Sequence, residues 1–193
     1  MFEIAREVRA EAEAIARLES LGSGKPIRDC RGEVAKVAEM FEYYGGWADK
    51  FYGEVIPVPT SHLNYTRREP AGTVLQITPW NAPVFTCGWQ VAPAISMGNA
   101  VLLKPSELTP TSSIVIGLLC ERAGAPKGLV NVLAGLGQTV AQSLIAQGHQ
   151  ESGVRRLAGD GCADRRSGCE ARAAVCARAG WQVSQYHLRR RRS

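Results

Sequence analysis

What this chain lacks limits its class before any motif is read. No run approaches the roughly 18 apolar residues that a membrane-spanning helix requires, so no membrane partner is expected. The opening residues, Met1 to Leu21, carry Glu3, Glu7, Glu11 and Glu13 among arginines. Neither a secretory signal nor a mitochondrial presequence has that acidic content, and the cytoplasm is the expected compartment. The six cysteines (Cys30, Cys87, Cys120, Cys162, Cys169, Cys176) form no CxxC pair and no zinc-ligand spacing. Reduced thiols and no metal site are therefore expected.

Lysine is missing altogether from residues 151–193, where 10 arginines face 4 acidic residues. Residues 1–150 carry 13 basic and 14 acidic residues, so the whole-chain charge of +5 belongs to the tail. A nucleic-acid partner argued from overall basicity would thus rest on that tail alone. Arg189 to Arg192 read first as a solvated terminus, because no aromatic platform or recognised module accompanies them.

What is present is periodic. Residues 2–20 and 32–52 read as two helices, with Ile4, Val8, Ala12, Ile15 and Leu18, then Val34, Val37, Phe41, Tyr44 and Ala48, at helical spacing. Gly22 to Pro26 breaks the chain between them. Residues 62–70 read as extended. From residue 73 short apolar runs alternate with helical patterns: strand 74–77, helix 83–97, strand 100–104, helix from Ser112 to Ala123, strand 129–133, helix 135–147. Nearly continuous apolar strands alternating with helices predict a parallel sheet covered on both faces. Right-handed crossovers then give an α/β, Rossmann-like sheet with flanking helices, preceded by two N-terminal helices. The chain divides accordingly into 1–70 (helices and extended segment), 71–158 (βαβ units) and 159–193 (an Arg-rich tail, expected to be disordered).

Ligands of open parallel sheets bind beyond the carboxyl ends of the strands. Those ends hold Ile77-Thr-Pro-Trp-Asn81, Lys104-Pro-Ser-Glu107 and Gly135-Leu-Gly137. Each alone reads as a turn. The Gly-x-Gly is a weak dinucleotide signal by itself, since Val140 stands where a third glycine would complete it.

Taken together, ITPWNAP (77–83), WQVAPA with GNAVLLKPSELTP (89–110) and AGAPKGLVNVLAG (123–135) resemble the aldehyde dehydrogenase superfamily in order and spacing. The resemblance persists upstream through SGKPI and YYGGWADKF and covers about residues 1–148. It implies a parent reaction in which an aldehyde, NAD and water give a carboxylic acid and NADH. It also implies roles for particular residues. Asn81 matches the carboxamide that helps form the oxyanion hole, a donor suited to a developing alkoxide. Lys104 and Glu107, with Ser106 between them, match the segment that holds the adenosine ribose. A carboxylate there favours NAD over NADP, which remains the alternative cofactor. Ile77, Thr78, Pro79 and Trp80 are expected to line the cofactor cleft, and Gly137 with Gln138 to let the next helix approach the nucleotide. The family's thiolate nucleophile and carboxylate base have no match in this sequence. Cys87 is near Asn81 but in the wrong helix. The resemblance thus implies a fragment that is inactive as it stands, poorly soluble, and derived from a homo-oligomeric parent. The alternatives are a non-catalytic NAD-binding or subunit-pairing fragment and, last, a nucleic-acid binder with a basic tail.

Beyond Ala158 the resemblance stops, and the codons suggest why. Residues 178–193 can be encoded so that reading one base later gives ELGGKSPNIIFADAD, which is similar to the family segment carrying the general base. Trp181-Gln182 forces the second glycine of that string, and Gln182-Val183 permits only Lys or Arg after it. The same shift permits Thr-Gly-x-x-Thr-Gly across 160–165, similar to the family's phosphate-binding turn. A loss of reading frame near Ala158 is expected.

Overall fold

The computed structural model describes residues 1–59, 63–146 and 150–151. The tail beyond residue 151, with its frame reading and its arginine cluster, lies outside the described residues. Three helices open the chain rather than the expected two: α1 (Phe2–Ala10), α2 (Ala12–Ser23) and α3 (Ile27–Gly45). Glu11 separates α1 from α2 by leaving helical dihedrals (φ −100°, ψ 11°). That break rotates the buried face. Ile4, Ala5 and Val8 are buried before it, then Ile15, Ala16 and Glu19 after it. Leu18, expected in the core, is half-buried, and its neighbour Glu19 goes inside instead.

Helix α3 starts five residues earlier than its apolar spacing suggested. Pro26 at the N-cap (φ −56°) supplies a preset backbone there. Glycines at 45 and 46 end the helix before Ala48, which is exposed. Val34, Val37 and Phe41 are buried as expected. Downstream, β1 (Val55–Ile56) pairs antiparallel with β2 (Asn64–Tyr65). Only β2 falls in the region read as extended.

The alternating segment forms as its apolar runs predict, with ends shifted by a residue or so. The elements are β3 (Thr73–Ile77), α4 (Pro83–Ser96), β4 (Ala100–Lys104), α5 (Thr111–Arg122) and β5 (Val130–Val132). Instead of one helix over 135–147, a π-helical turn Gly137–Ala141 leads into a short α6 (Gln142–Ala146). A two-residue β6 (Gln150–Glu151) follows. The strands are all parallel, in the order β5-β4-β3-β6.

Handedness explains the layers. The steps β3 to β4 and β4 to β5 run the same way across the sheet, so right-handed crossovers place α4 and α5 on one face. The helices α1, α2 and α3 pack there too, and one core joins them through Val8, Ile15, Val34, Val37, Phe41, Val84, Val91, Val101, Leu103 and Ile116. Gly88 of α4 is what lets α3 come close: a Cβ there would lie 2.7 Å from Val37 Cγ1. The return from β5 to β6 reverses direction at β3. Such a reversal marks the crevice where an open α/β sheet binds its ligand.

Two buried amides hold β3 against α4. Pro93 inside α4 has no N–H and cannot bond the preceding turn. Gln76 of β3 donates its Nε2 to the Gln90 carbonyl, one position after the carbonyl that an N–H at 93 would have met, at 2.8 Å. Asn99 accepts from the Ala71 and Gly72 N–H groups (2.7 and 3.2 Å) and donates to the Ala94 carbonyl (3.1 Å). The end of α4 is thereby fixed to the start of β3. No helix among the described residues is long and apolar enough to cross a membrane.

Candidate functional site: the carboxyl edge of the parallel sheet

The first two strand ends are tied together. The register sets Ile77 beside Lys104, and the Thr78 N–H donates to the Lys104 carbonyl at 3.1 Å. Beyond the strands, Thr109 Oγ1 donates to the Trp80 carbonyl at 3.2 Å. The loop carrying Trp80 and Asn81 is therefore bonded to the loop carrying Ser106 and Glu107. Sequence reading missed Thr109. Its place between a strand end and Pro110 was a usable signal, because a hydroxyl there commonly bonds loop backbone.

Lys104 is the unusual residue of this edge. Its side chain is only 3% exposed, yet its Nζ lies 3.2 Å from Glu107 Oε2. Lysines are rarely buried unless paired, and here the partner's carboxylate is about half in solvent. Its own backbone N–H first, and then the Lys104 ammonium, lower the pKa of the Glu107 carboxyl. The result is an anionic acceptor, fixed in place and open on one side. Ser106 is half-buried beside it, its hydroxyl accepting from the Leu108 N–H at 3.3 Å.

Asn81 and Trp80 are exposed, whereas Thr78 is buried and Ile77 and Pro79 are half-buried. The Thr78 hydroxyl has no protein partner. The third strand end joins the same edge through the Leu133 N–H, which donates to the Leu103 carbonyl at 2.8 Å. Four residues on, Gly137 opens the π-helical turn and exposed Gln138 follows it. Val140, the residue that spoils the third glycine, is accommodated by the first. A Cβ on Gly135 (φ 151°) would come within 2.6 Å of Val140 Cγ2. The space a glycine would leave in the helix is supplied by the turn instead.

The three described cysteines are free and buried. Burial pushes the Cys87 thiol far above its ordinary value, with nearby Cys120 adding to it. Cys120 is itself pushed up to about 12. Neither is a thiolate near neutral pH, which agrees with the wrong-helix argument against Cys87 as nucleophile. Among the described residues no cluster of His, Cys, Asp or Glu could hold a metal ion.

A reversal of strand order, with a paired lysine and carboxylate at the strand ends, gives this edge the crevice geometry of an open α/β sheet. The aldehyde dehydrogenase family model matches residues 1–152, and the chain belongs to that family. The betaine aldehyde dehydrogenase of Bacillus subtilis is 42% identical over 146 residues, 75% of this chain and 30% of the relative. PnpE, solved in complex with nicotinamide adenine dinucleotide, superposes with a TM-score of 0.72 at 46% identity, over 74% of this chain and 30% of PnpE. An NAD-dependent aldehyde dehydrogenase from Sinorhizobium meliloti gives a TM-score of 0.73 at 39% identity, over 75% of this chain and 29% of that one. The chain thus spans about 30% of the length of these relatives.

Proposed function

We propose that residues 1–151 form the adenosine-binding and oxyanion-donating part of an NAD-dependent aldehyde dehydrogenase, whose parent reaction oxidises an aldehyde to a carboxylic acid. The observation that carries this reading is the buried Lys104 ammonium held 3.2 Å from the half-exposed Glu107 carboxylate, at a strand end bonded to the Thr78 N–H. That donor set fits a dinucleotide. The Glu107 carboxylate accepts from a vicinal pair of ribose hydroxyls, and Lys104 holds it in the accepting orientation. A fixed carboxylate repels the additional phosphate of NADP, so NAD is the preferred cofactor. Ile77 to Trp80 form the adjoining wall, and Gly137 with Gln138 lie on the β5 side of the same edge. Asn81 directs a carboxamide N–H to the carbonyl oxygen of the aldehyde as negative charge develops there. Bound NAD supplies the acceptor for the hydride.

On this reading the 193 residues bind but do not turn over, because the family's thiolate nucleophile and general base have no counterpart among them. The codon pattern of 178–193 supports a frame lost near Ala158, with the base-carrying segment encoded one nucleotide out of register. The cytoplasm as compartment and an oligomeric parent belong to the same proposal. A basic-tail nucleic-acid role ranks last.

Titrating the purified chain with NAD and with NADP, by calorimetry, tests the binding half. Saturable NAD binding, weakened about 10-fold or more by Glu107→Gln, is expected from losing a charged hydrogen-bond acceptor. Equal binding by the variant, or tighter binding of NADP, would contradict the assignment of Glu107. An assay for NADH production tests the other half, and turnover by this chain would overturn it. Nucleotide sequence from codon 140 onward decides the frame: a confirmed frame with no family segment in any register sinks that part.

A further inference from the structure

The ladder between β3 and β4 stops where the proposed cofactor loops begin. The Thr78 N–H donates to the Lys104 carbonyl at 3.1 Å. The next residue on each chain is a proline, Pro79 on one and Pro105 on the other, and neither has an N–H to continue the ladder. Two loops leave the sheet at this point, one bearing Asn81 and the other Glu107. Strand pairing alone does not set one against the other.

Thr109 has a donor for each loop. Its N–H donates to the Ser106 carbonyl at 3.3 Å, closing a four-residue turn with Glu107 and Leu108 at its centre. The Ser106 hydroxyl accepts the Leu108 N–H at 3.3 Å within the same turn. The Thr109 hydroxyl leaves that turn and donates to the Trp80 carbonyl at 3.2 Å. That carbonyl belongs to the peptide joining Trp80 to Asn81, so the bond bears directly on how Asn81 is oriented. Thr109 is only 5% exposed, and water offers its hydroxyl little alternative. The residue itself has little freedom. Pro110 follows it and restricts the backbone before it to extended conformations, and a β-branched side chain is stiff at χ1.

We infer that Thr109 is a positioning residue: its hydroxyl fixes the Trp80–Asn81 peptide relative to the turn that presents Glu107. The bridge between the loops stands on the two Thr109 bonds. What it positions, a ribose acceptor and an oxyanion donor, rests on the function proposed above.

Backbone amide relaxation, measured by NMR on the full chain, separates this role from ordinary packing. Thr109→Val keeps the shape and removes the donor. The order parameter of the Asn81 amide should then fall below about 0.6, the range of flexible backbone. Glu107 should keep its value, because the N–H at 109 still closes its turn, and Phe41 and Leu103 should keep theirs. Thr109→Ser retains the hydroxyl and should restore Asn81 to near the native value. Thr109→Ala, for use if Thr109→Val does not fold, should loosen Asn81 in the same way. The inference is overturned by native order at Asn81 in folded Thr109→Val or Thr109→Ala, or by a native Asn81 amide already in the flexible range. Equal loosening at Phe41 and Leu103, or no recovery in Thr109→Ser, overturns it too. In a parallel titration with NAD, Thr109→Val should bind roughly fivefold more weakly, and Thr109→Ser within about twofold of the native chain. Native NAD affinity in Thr109→Val overturns the link to the cofactor. If the native chain binds no NAD, the functional reading fails, and the relaxation data still decide the role of Thr109.

Discussion

The two faces of the parallel sheet do different things with the same kind of strand. On the face under the helices, Val74, Val101 and Leu103 are buried, and Gln76 is tied down by the Gln90 carbonyl. On the other face, Leu75 is buried, Ile77 and Leu102 are half-buried, and Lys104 carries its ammonium to the strand end. The first face resists change because every group has packing neighbours. The second holds a charged pair whose carboxylate stays half open. Packing is concentrated on one side of a single sheet, and the charged pair proposed for recognition lies on the other.

The largest expected effect tests the helix-covered face. Phe41→Ala, at a fully buried position, should cost about 3–5 kcal/mol in urea unfolding followed by circular dichroism. Leu102→Ala on the opposite face should cost less than half as much. Similar losses would mean the two faces are equally packed. Next comes the close approach of α3 and α4. Gly88→Val puts a side chain where a Cβ already meets Val37 at 2.7 Å, and about 1–3 kcal/mol of overpacking is expected in the same assay.

Lys104→Met sharpens the contrast from the recognition side. The substitution keeps an apolar stem and removes a buried ammonium, so stability should change by no more than about 1–2 kcal/mol. NAD affinity should nevertheless fall about tenfold or more by calorimetry. An unaffected affinity would detach Lys104 from the site.

The smallest effect lies on the outer helical surface. Arg31 and Arg17 hold the Glu13 carboxyl down to about 2. A depressed carboxylate contributes stability above its unfolded pKa, and that contribution is lost as pH falls through the folded value. Glu13→Gln should therefore narrow the gap between melting temperatures at pH 6 and pH 2. High salt should remove most of the difference, because these groups are exposed.

Much of the sheet was legible because its strands are apolar runs of fixed length between strong turn residues. Residues 100–104 match β4 end to end. The N-terminal helices were harder. Spacing alone could not place the break at Glu11, where backbone dihedrals change without a glycine or proline. That break moved Glu19 rather than Leu18 inward, so the buried carboxylate that accepts the Val84 N–H was invisible to a pattern of apolar residues. The β1–β2 pairing was half seen, since two-residue strands carry too little pattern to recognise. At the carboxyl edge, the strand end carrying Lys104 and its neighbour Glu107 was legible from the apolar run before it. The role of Val140 was not, because it depends on Gly135 in the turn before it.

The order in which the chain is made has a consequence for α1. Arg122, the last residue of α5, reaches back to Glu7 at 2.5 Å and Glu11 at 3.1 Å, across 115 and 111 residues. A ribosome exposes α1 long before it supplies that arginine or the helix beneath it. Helix α3 can pack on α1 early, whereas the ion pairs to α5 close last, because contacts of such long separation form slowly. A nascent chain stalled before residue 122 would lack the arginine that fastens α1 to the end of α5.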